Sequence, residues 1–531
     1  MEFEKFSQKR TIILLLLLLS AALAIATITA ERVRARMYWQ QKIDPWVAEE
    51  LADRGQAEIL VLLEQQADLS AAANIKSKVE KGAYVYQQLT AAAEQSQPAI
   101  IESLEKSGSE YRRFWVSNMI WVRADALVVE QMARRDDVAR VLANPQVKLD
   151  VLGPPVVMNK AEAPNTVEQN IVVVRAPEVW DAGFEGQGAV IGGQDTGYEW
   201  QHPAIINQYR GWDGSTADHN YNWHDAIHEN NPGTAPGNPC GFDLQEPCDD
   251  FGHGTHTMGT MVGDDGDSHQ IGMAPKAKWI ACRNMEQGWG SPASYMECYE
   301  WFIAPYPLGG DPFADGDPSK APHVINNSWS CPPIEGCTEP EALRQVVDHV
   351  RAAGILTAHS ASNAGPSCGT ITDPAAIYDA SFTVAATDNN DLIASFSARG
   401  PVTMGESTLL KPDISAPGVG VRSSFPGNQY VSMNGTSMAS PHVAGLAALL
   451  ISIDPSLAGD VGSLEGVMGK TAVRLTSSQG CGGDGPDYVP NNVYGWGRID
   501  AYAAYQEVYD PFYKFFAPVL FGAQNEYNLN P

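Results

Sequence analysis

A chain of 531 residues has room for two or three domains and a large core, and an apolar fraction of 44% is ordinary for a globular protein. The formal net charge of −28 is unevenly spread, since residues 151–531 hold 16 Lys and Arg against 43 Asp and Glu. That balance argues against nucleic acid as a partner, which needs cationic patches, and fits a soluble exported body without naming a substrate.

At the start, Lys5, Lys9 and Arg10 precede an uncharged, Leu- and Ala-rich run from Thr11 to Ala30, the pattern of an export signal. A run of about 20 residues also suffices to span a bilayer, and Arg32, Arg34 and Arg36 follow it. Residues 1–30 therefore read as a removed signal peptide or a retained membrane anchor. Either reading puts the remainder outside the cytoplasm.

Residues 45–150 contain no cysteine and read as a separate unit. The pattern predicts a buried strand at 57–63, helix over 71–106, a strand at 114–122, helix over 126–134 and a short strand at 138–142. Strand, helix, strand, helix, strand suggests a small α+β sandwich. The stretch 153–165, with three prolines, is linker-like.

Short apolar runs then recur at 189–191, 279–281, 324–326, 355–358 and 382–386, with helical stretches such as 340–353 between them. They lack clean alternation, as strands buried on both faces do. Alternating β and α elements predict an α/β unit over 165–505, with a mostly parallel sheet covered on both sides. Beyond residue 505, Phe512, Tyr513, Phe515, Phe516, Val519, Leu520 and Phe521 make an apolar tail, expected to pack as a terminal segment, with a tail that docks on a partner or the cell envelope as the alternative.

All eight cysteines, Cys240, Cys248, Cys282, Cys298, Cys331, Cys337, Cys368 and Cys481, lie in the acidic part. With an export signal, disulfides are the expected use. Cys240 with Cys248 and Cys331 with Cys337 are the natural local pairs, leaving Cys282–Cys298 and Cys368–Cys481 as one choice among many. Zinc is the rival use, but no CxxC or HExxH spacing occurs.

Three motifs carry chemistry. Gly193-Gln194-Asp195-Thr196-Gly197 follows a predicted strand, His253-Gly254-Thr255-His256 opens a predicted helix, and Gly435-Thr436-Ser437 leads into the apolar helix that contains Pro441. Pro441 is tolerable if it falls in the first helical turn. Ser437 near a helix N-terminus has unpaired N–H groups and the positive end of the dipole beside it, where an oxyanion is stabilised. The order Asp, His, Ser is that of the subtilisin type. With these motifs the chain resembles the subtilase (S8) family of serine endopeptidases. Within it the chain looks most like the bacillopeptidase F group, through Arg210-Gly211-Trp212-Asp213-Gly214, His219-Asn220-Tyr221-Asn222-Trp223 and Val324-Ile325-Asn326-Asn327-Ser328-Trp329.

The resemblance implies a subtilisin-like three-layer α/β fold preceded by a small α+β propeptide domain, which inhibits the enzyme through a tail near Gln146–Asp150. The mature N-terminus is then expected between about 148 and 168. It implies Ser437 as nucleophile, His253 as base with His256 as the alternative, Asp195 as the residue orienting the base, and Asn363 as oxyanion donor. Asp249 and Asp250 are expected to be solvated loop acids. Ser328, Trp329, Ser330 and Ser362 are expected to line the substrate site, Ser328 and Trp329 offering an edge for an extended substrate strand. Where the family usually has glycine, Ser330 and Ser362 would narrow the pocket or add hydrogen bonding, favouring small or polar residues over large aromatics. No cofactor is implied for the chemistry. Structural calcium is common in the family, and Asp264-Asp265-Gly266-Asp267 offers carboxylates for it, although Ala204 stands where one familiar ligand would be. The expected partners are protein or peptide substrates and the chain's own propeptide, in a monomer. The alternatives are a catalytically dead binding protein on the same fold and a membrane-tethered processing protease with one dedicated substrate.

Overall fold

The computed structural model describes residues 38–158 and 166–509, apart from 235 and 406. The expected signal or anchor at 1–30, most of the linker and the apolar tail beyond residue 509 lie outside the described residues.

The chain divides into two compact units. The first contains residues up to Glu64, Pro98–Arg112 and Ile120–Ala143. Its first long helix begins at Pro45, where Asp44 accepts the Trp46 N–H (3.0 Å), and stops at Gly55 in the left-handed region (φ +73°). The strand Ala57–Leu63 pairs antiparallel with Val138–Ala143 within a four-stranded sheet. Ile59, Val61, Ile120, Val122 and Val141 meet Ile100, Leu104, Val129 and Met132 in its core.

Two predicted elements are broken. The strand expected at 114–122 is two strands, Tyr111–Phe114 and Met119–Ala124, joined by a turn in which Asn118 adopts φ +48°. Asparagine tolerates that conformation, which local apolar bias concealed. The helix expected over 71–106 is interrupted before Pro98, giving Lys78–Ser96 and Pro98–Ser107.

The second unit contains Gln65–Gln97, Arg113–Met119 and everything from Asn144 on. Parts of the segment expected as one unit over 45–150 thus group with the larger fold. At its centre are seven parallel strands: β1 (Val190–Asp195), β2 (Trp223–Asp225), β3 (Lys278–Arg283), β4 (Val324–Asn327), β5 (Leu356–Ser360), β6 (Phe382–Thr387) and β7 (Ile414–Pro417). Their order is β7-β6-β5-β4-β1-β3-β2, all pairs parallel. The chain lays strands on one side of β1 and then crosses to the other, so β1 and β4 flank the switch point where open α/β sheets bind ligands.

Four helices matter for the site: α1 (His253–Val262), α2 (Pro292–Ile303), α3 (Glu341–Ala352) and α4 (Thr436–Ile453). Val443, Leu446, Leu449 and Leu450 of α4 are fully buried. Apolar on every side, α4 is a core helix. Glu300 on α2 accepts the N–H groups of Trp115 (2.6 Å) and Val116 (2.9 Å), while Lys78 and Lys81 donate to the carbonyls of Ala321 (3.0 Å) and Gly459 (2.7 Å). These contacts bind 65–97 and 113–119 into the unit.

Four disulfides join Cys240–Cys248, Cys282–Cys298, Cys331–Cys337 and Cys368–Cys481. Their sequence separations run from 6 to 113 residues. Loop-closure entropy predicts about 5 kcal/mol for Cys368–Cys481 and about 2 kcal/mol for Cys331–Cys337. Replacing each pair by serine in a Ser437→Ala background and comparing urea midpoints should return that ranking.

Candidate active site

Asp195 closes β1, fully buried. His253 is the first residue of α1, and its Nδ1 lies 2.8 and 3.0 Å from the two Asp195 oxygens. Asp195 also accepts the Thr196 N–H (2.7 Å) and the Thr257 hydroxyl (3.3 Å). A carboxylate can only accept, so the ring nitrogen of His253 that faces it is the one placed to donate.

The motif glycines let the two segments meet. A Cβ on Gly197 would stand 1.8 Å from the Cys248 carbonyl oxygen, and one on Gly254 would stand 2.1 Å from that of Gly197.

Ser437 is the second residue of α4. Pro441 falls in the second helical turn rather than in the first, as expected from sequence, so it removes the N–H that the Ser437 carbonyl would otherwise accept. The Ser328 hydroxyl takes its place, donating to that carbonyl at 2.9 Å. The Ser437 hydroxyl in turn donates to the Ser328 carbonyl (3.3 Å). Asn326 and Ser440 add a further side-chain bond between β4 and α4 (2.8 Å). Asn327 stands in register with Gln194, which places the ends of β1 and β4, and hence Asp195 and Ser328, side by side.

Asn363 follows β5. Its Oδ1 accepts the Thr436 N–H (2.9 Å) and hydroxyl (3.0 Å), fixing the carboxamide so that Nδ2 donates outward to the Asp150 carbonyl (3.3 Å). Ser362 occupies the left-handed region (φ +79°), where glycine is the usual residue. Trp329 is buried and stacks on Tyr295 (4.0 Å), and the Ser330 carbonyl faces the Tyr295 hydroxyl (3.5 Å).

Residues 144–158 run along this cleft. Val147 and Lys148 pair antiparallel with Gly290 and Trp289, and the Leu149 N–H donates to the Gly288 carbonyl (2.7 Å). Val151 packs against the cluster of Val421, Val431, Met433 and Met438, the last of which follows Ser437. Val156 and Val157 then pair with Ser432 and Val431. Residues 147–149 thus pair with the edge Gly288–Gly290, which sequence reasoning missed. Its glycines were the available signal.

Two expectations are corrected. Asp249 accepts from the Thr196 hydroxyl (2.9 Å), the N–H groups of Phe251 (3.1 Å), Gly252 (2.7 Å) and Thr255 (2.9 Å), and the Thr255 hydroxyl (2.6 Å). It caps α1 and is not a solvated acid. Asp250 likewise accepts from Gln287 N–H (2.9 Å) and Asn238 (2.9 Å), and burial pushes its carboxyl up to about 6. His256, the alternative base, points its Nε2 at the carbonyls of Val421 (3.1 Å) and Val431 (3.2 Å), and burial pushes it down to about 3. It is a neutral core histidine.

In the acidic loop, Asp264 and Asp265 accept from the backbone N–H groups of Gly266, Asp267, Ser268 and His269. Among the described residues no group of three or more His, Cys, Asp or Glu is arranged to hold a metal ion.

The sequence profile of the subtilase family matches residues 186–497. Bacillopeptidase F of Bacillus subtilis is 37% identical over 455 residues, 82% of this chain and 29% of that protein. Serine protease AprX of the same organism is 34% identical over 40% of this chain and 52% of that protein. Subtilisin DY of Bacillus licheniformis is 31% identical over 59% of this chain and 94% of that protein. The chain thus spans less than a third of bacillopeptidase F and about half of AprX.

Removing the Asp249 cap strands several donors at once. Asp249→Ala is expected to cost about 2–3 kcal/mol in denaturant unfolding, with Asp249→Asn intermediate.

Proposed function

We propose that this chain, which belongs to the subtilase family, is an exported serine endopeptidase made as a self-inhibited zymogen. The observation that carries the reading is the Asn363 carboxamide, held by Thr436 beside Ser437 and donating to a peptide carbonyl, that of Asp150. A carbonyl held by a side chain that is itself bound to Thr436, the residue before Ser437, has the arrangement an acyl-transfer site requires.

In this reading Ser437 Oγ attacks the carbonyl carbon while His253 Nε2 takes its proton. Asp195 keeps the Nδ1 proton in place and stabilises the imidazolium. The oxyanion accepts from Asn363 Nδ2 and from the Ser437 N–H, which lies in a helical turn with no intrahelical acceptor. The imidazolium protonates the leaving amine, and water reverses the sequence to release the acid. Substrates bind as an added strand on Gly288–Gly290, in the register that Val147 and Lys148 adopt. Ser330 and Ser362 narrow the pocket beyond the reacting carbonyl. The four disulfides fit an oxidising location.

The bond between Asp150 and Val151 is the maturation site in this reading, within the window of 148–168. It is supported by the Asp150 carbonyl at Asn363 and by Val151 against the cluster that includes Met438, the residue after Ser437. Expression of wild type beside Ser437→Ala, followed by intact mass and N-terminal sequencing, tests it. Only wild type should yield a mature chain beginning at Val151. Processing of both proteins alike, or of neither, would contradict self-cleavage.

A further inference from the structure

The Gly288–Gly290 edge accounts for only one side of the strand that lies in the cleft. In an antiparallel pair, residues alternate between positions that bond across the pair and positions whose N–H and C=O point away from it. Leu149 is of the first kind, its N–H reaching the Gly288 carbonyl (2.7 Å). Lys148, opposite Trp289, is of the second. Its N–H is received by a side chain, Glu335 Oε2, at 3.2 Å. The Lys148 ammonium lies over the Trp289 ring (5.8 Å), so the bond to Glu335 is made by main chain alone. Glu335 ends the short turn Pro333–Glu335, and Gly336 after it takes φ +106°. The chain thereby doubles back, and Cys337 closes on Cys331. A loop closed over so few residues has little freedom to lose when it binds a ligand.

We propose that Glu335 is a substrate-binding residue, which takes the main-chain N–H of the third residue before the scissile bond and so excludes substrates with proline there. The inference rests on the endopeptidase reading above, which makes Asp150 the residue before the bond and Lys148 the third. Every residue except proline supplies that N–H, so this contact tests the backbone and not the side chain. A carboxylate acceptor makes a charge-assisted hydrogen bond, stronger than one to a neutral carbonyl. A substrate without the donor leaves a half-buried carboxylate unpaired and sets a carbon against it.

The contact completes a clamp on three successive residues. Glu335 holds the Lys148 N–H, Gly288 the Leu149 N–H and Asn363 the Asp150 carbonyl. A strand held along one edge alone can swing about that edge. A second anchor on the opposite side fixes its rotation, and with it the direction in which the next carbonyl faces Ser437.

The test assays the mature enzyme and its Glu335→Ala variant on one internally quenched peptide, with and without N-methylation of the third residue before the cleaved bond. Product masses identify the bond cut. N-methylation should lower kcat/KM about 100-fold in wild type and less than about fivefold in Glu335→Ala, which itself loses about tenfold on the unmethylated peptide. Glu335→Gln, which keeps an acceptor without the charge, should fall between them, and it carries the comparison if Glu335→Ala does not fold. N-methylation of the second residue, whose N–H meets Gly288, should cost the same in every folded enzyme, an equality that a general loosening of the cleft would not produce. An equal penalty at the third residue in wild type and variant overturns the proposal. So does efficient cleavage of the N-methylated peptide by wild type, which needs no variant. Failure of the endopeptidase reading looks different: no peptide is cut by any of the enzymes, and a fluorophosphonate does not label Ser437.

Discussion

A proline in the second turn of a buried helix leaves one carbonyl without its partner, and the site is built around the answer to that deficit. The carbonyl belongs to Ser437, and the Ser328 hydroxyl at the end of β4 satisfies it. An unsatisfied buried acceptor would cost about 1–3 kcal/mol, so the bond fixes how far α4 advances toward the strand ends. Ser440 with Asn326, and Thr436 with Asn363, repeat the stitch on either side. Three side chains from two adjacent strand ends thereby hold the first turns of α4. Because β4 pairs with β1 in register, the same bonds set where Ser437 stands relative to Asp195 and His253.

The second constraint is the path of residues 144–158. A free cleft would expose the backbone edge at Gly288–Gly290 and the outward Nδ2 of Asn363. Both are satisfied by the chain's own Val147–Asp150, with pairing resumed at Val156–Val157 beyond Ser437. The chain thus pairs with a strand edge at Val147–Lys148 and again at Val156–Val157, and in the zymogen reading we propose this is how a substrate binds.

Much of this was legible in the sequence because it rests on local rules. The parallel sheet followed from apolar runs without alternation, and those runs fall within or overlap β1 and β3–β6. Gly197 and Gly254 stood in their motifs because backbones pass within reach of a Cβ there. What was not legible depends on long-range partners. Asp249 and Asp250 look like loop acids until the chain returns Thr255 and Gln287 to them. Asn118 and Pro98 split predicted elements because a single turn residue outweighed the surrounding apolar bias. The same hidden dependence applies to Pro441, whose register in α4 only the helix start at Thr436 reveals.

The account depends most on the tail being seated in the cleft. Backbone hydrogen exchange of the intact Ser437→Ala precursor, read on peptides covering residues 144–152 and 286–291, measures this directly. The seated strand predicts slow exchange at Leu149 and at Gly290, lost together when residues 144–158 are replaced by a Gly/Ser linker. Exchange of residues 144–152 at free-chain rates in the intact precursor would contradict it.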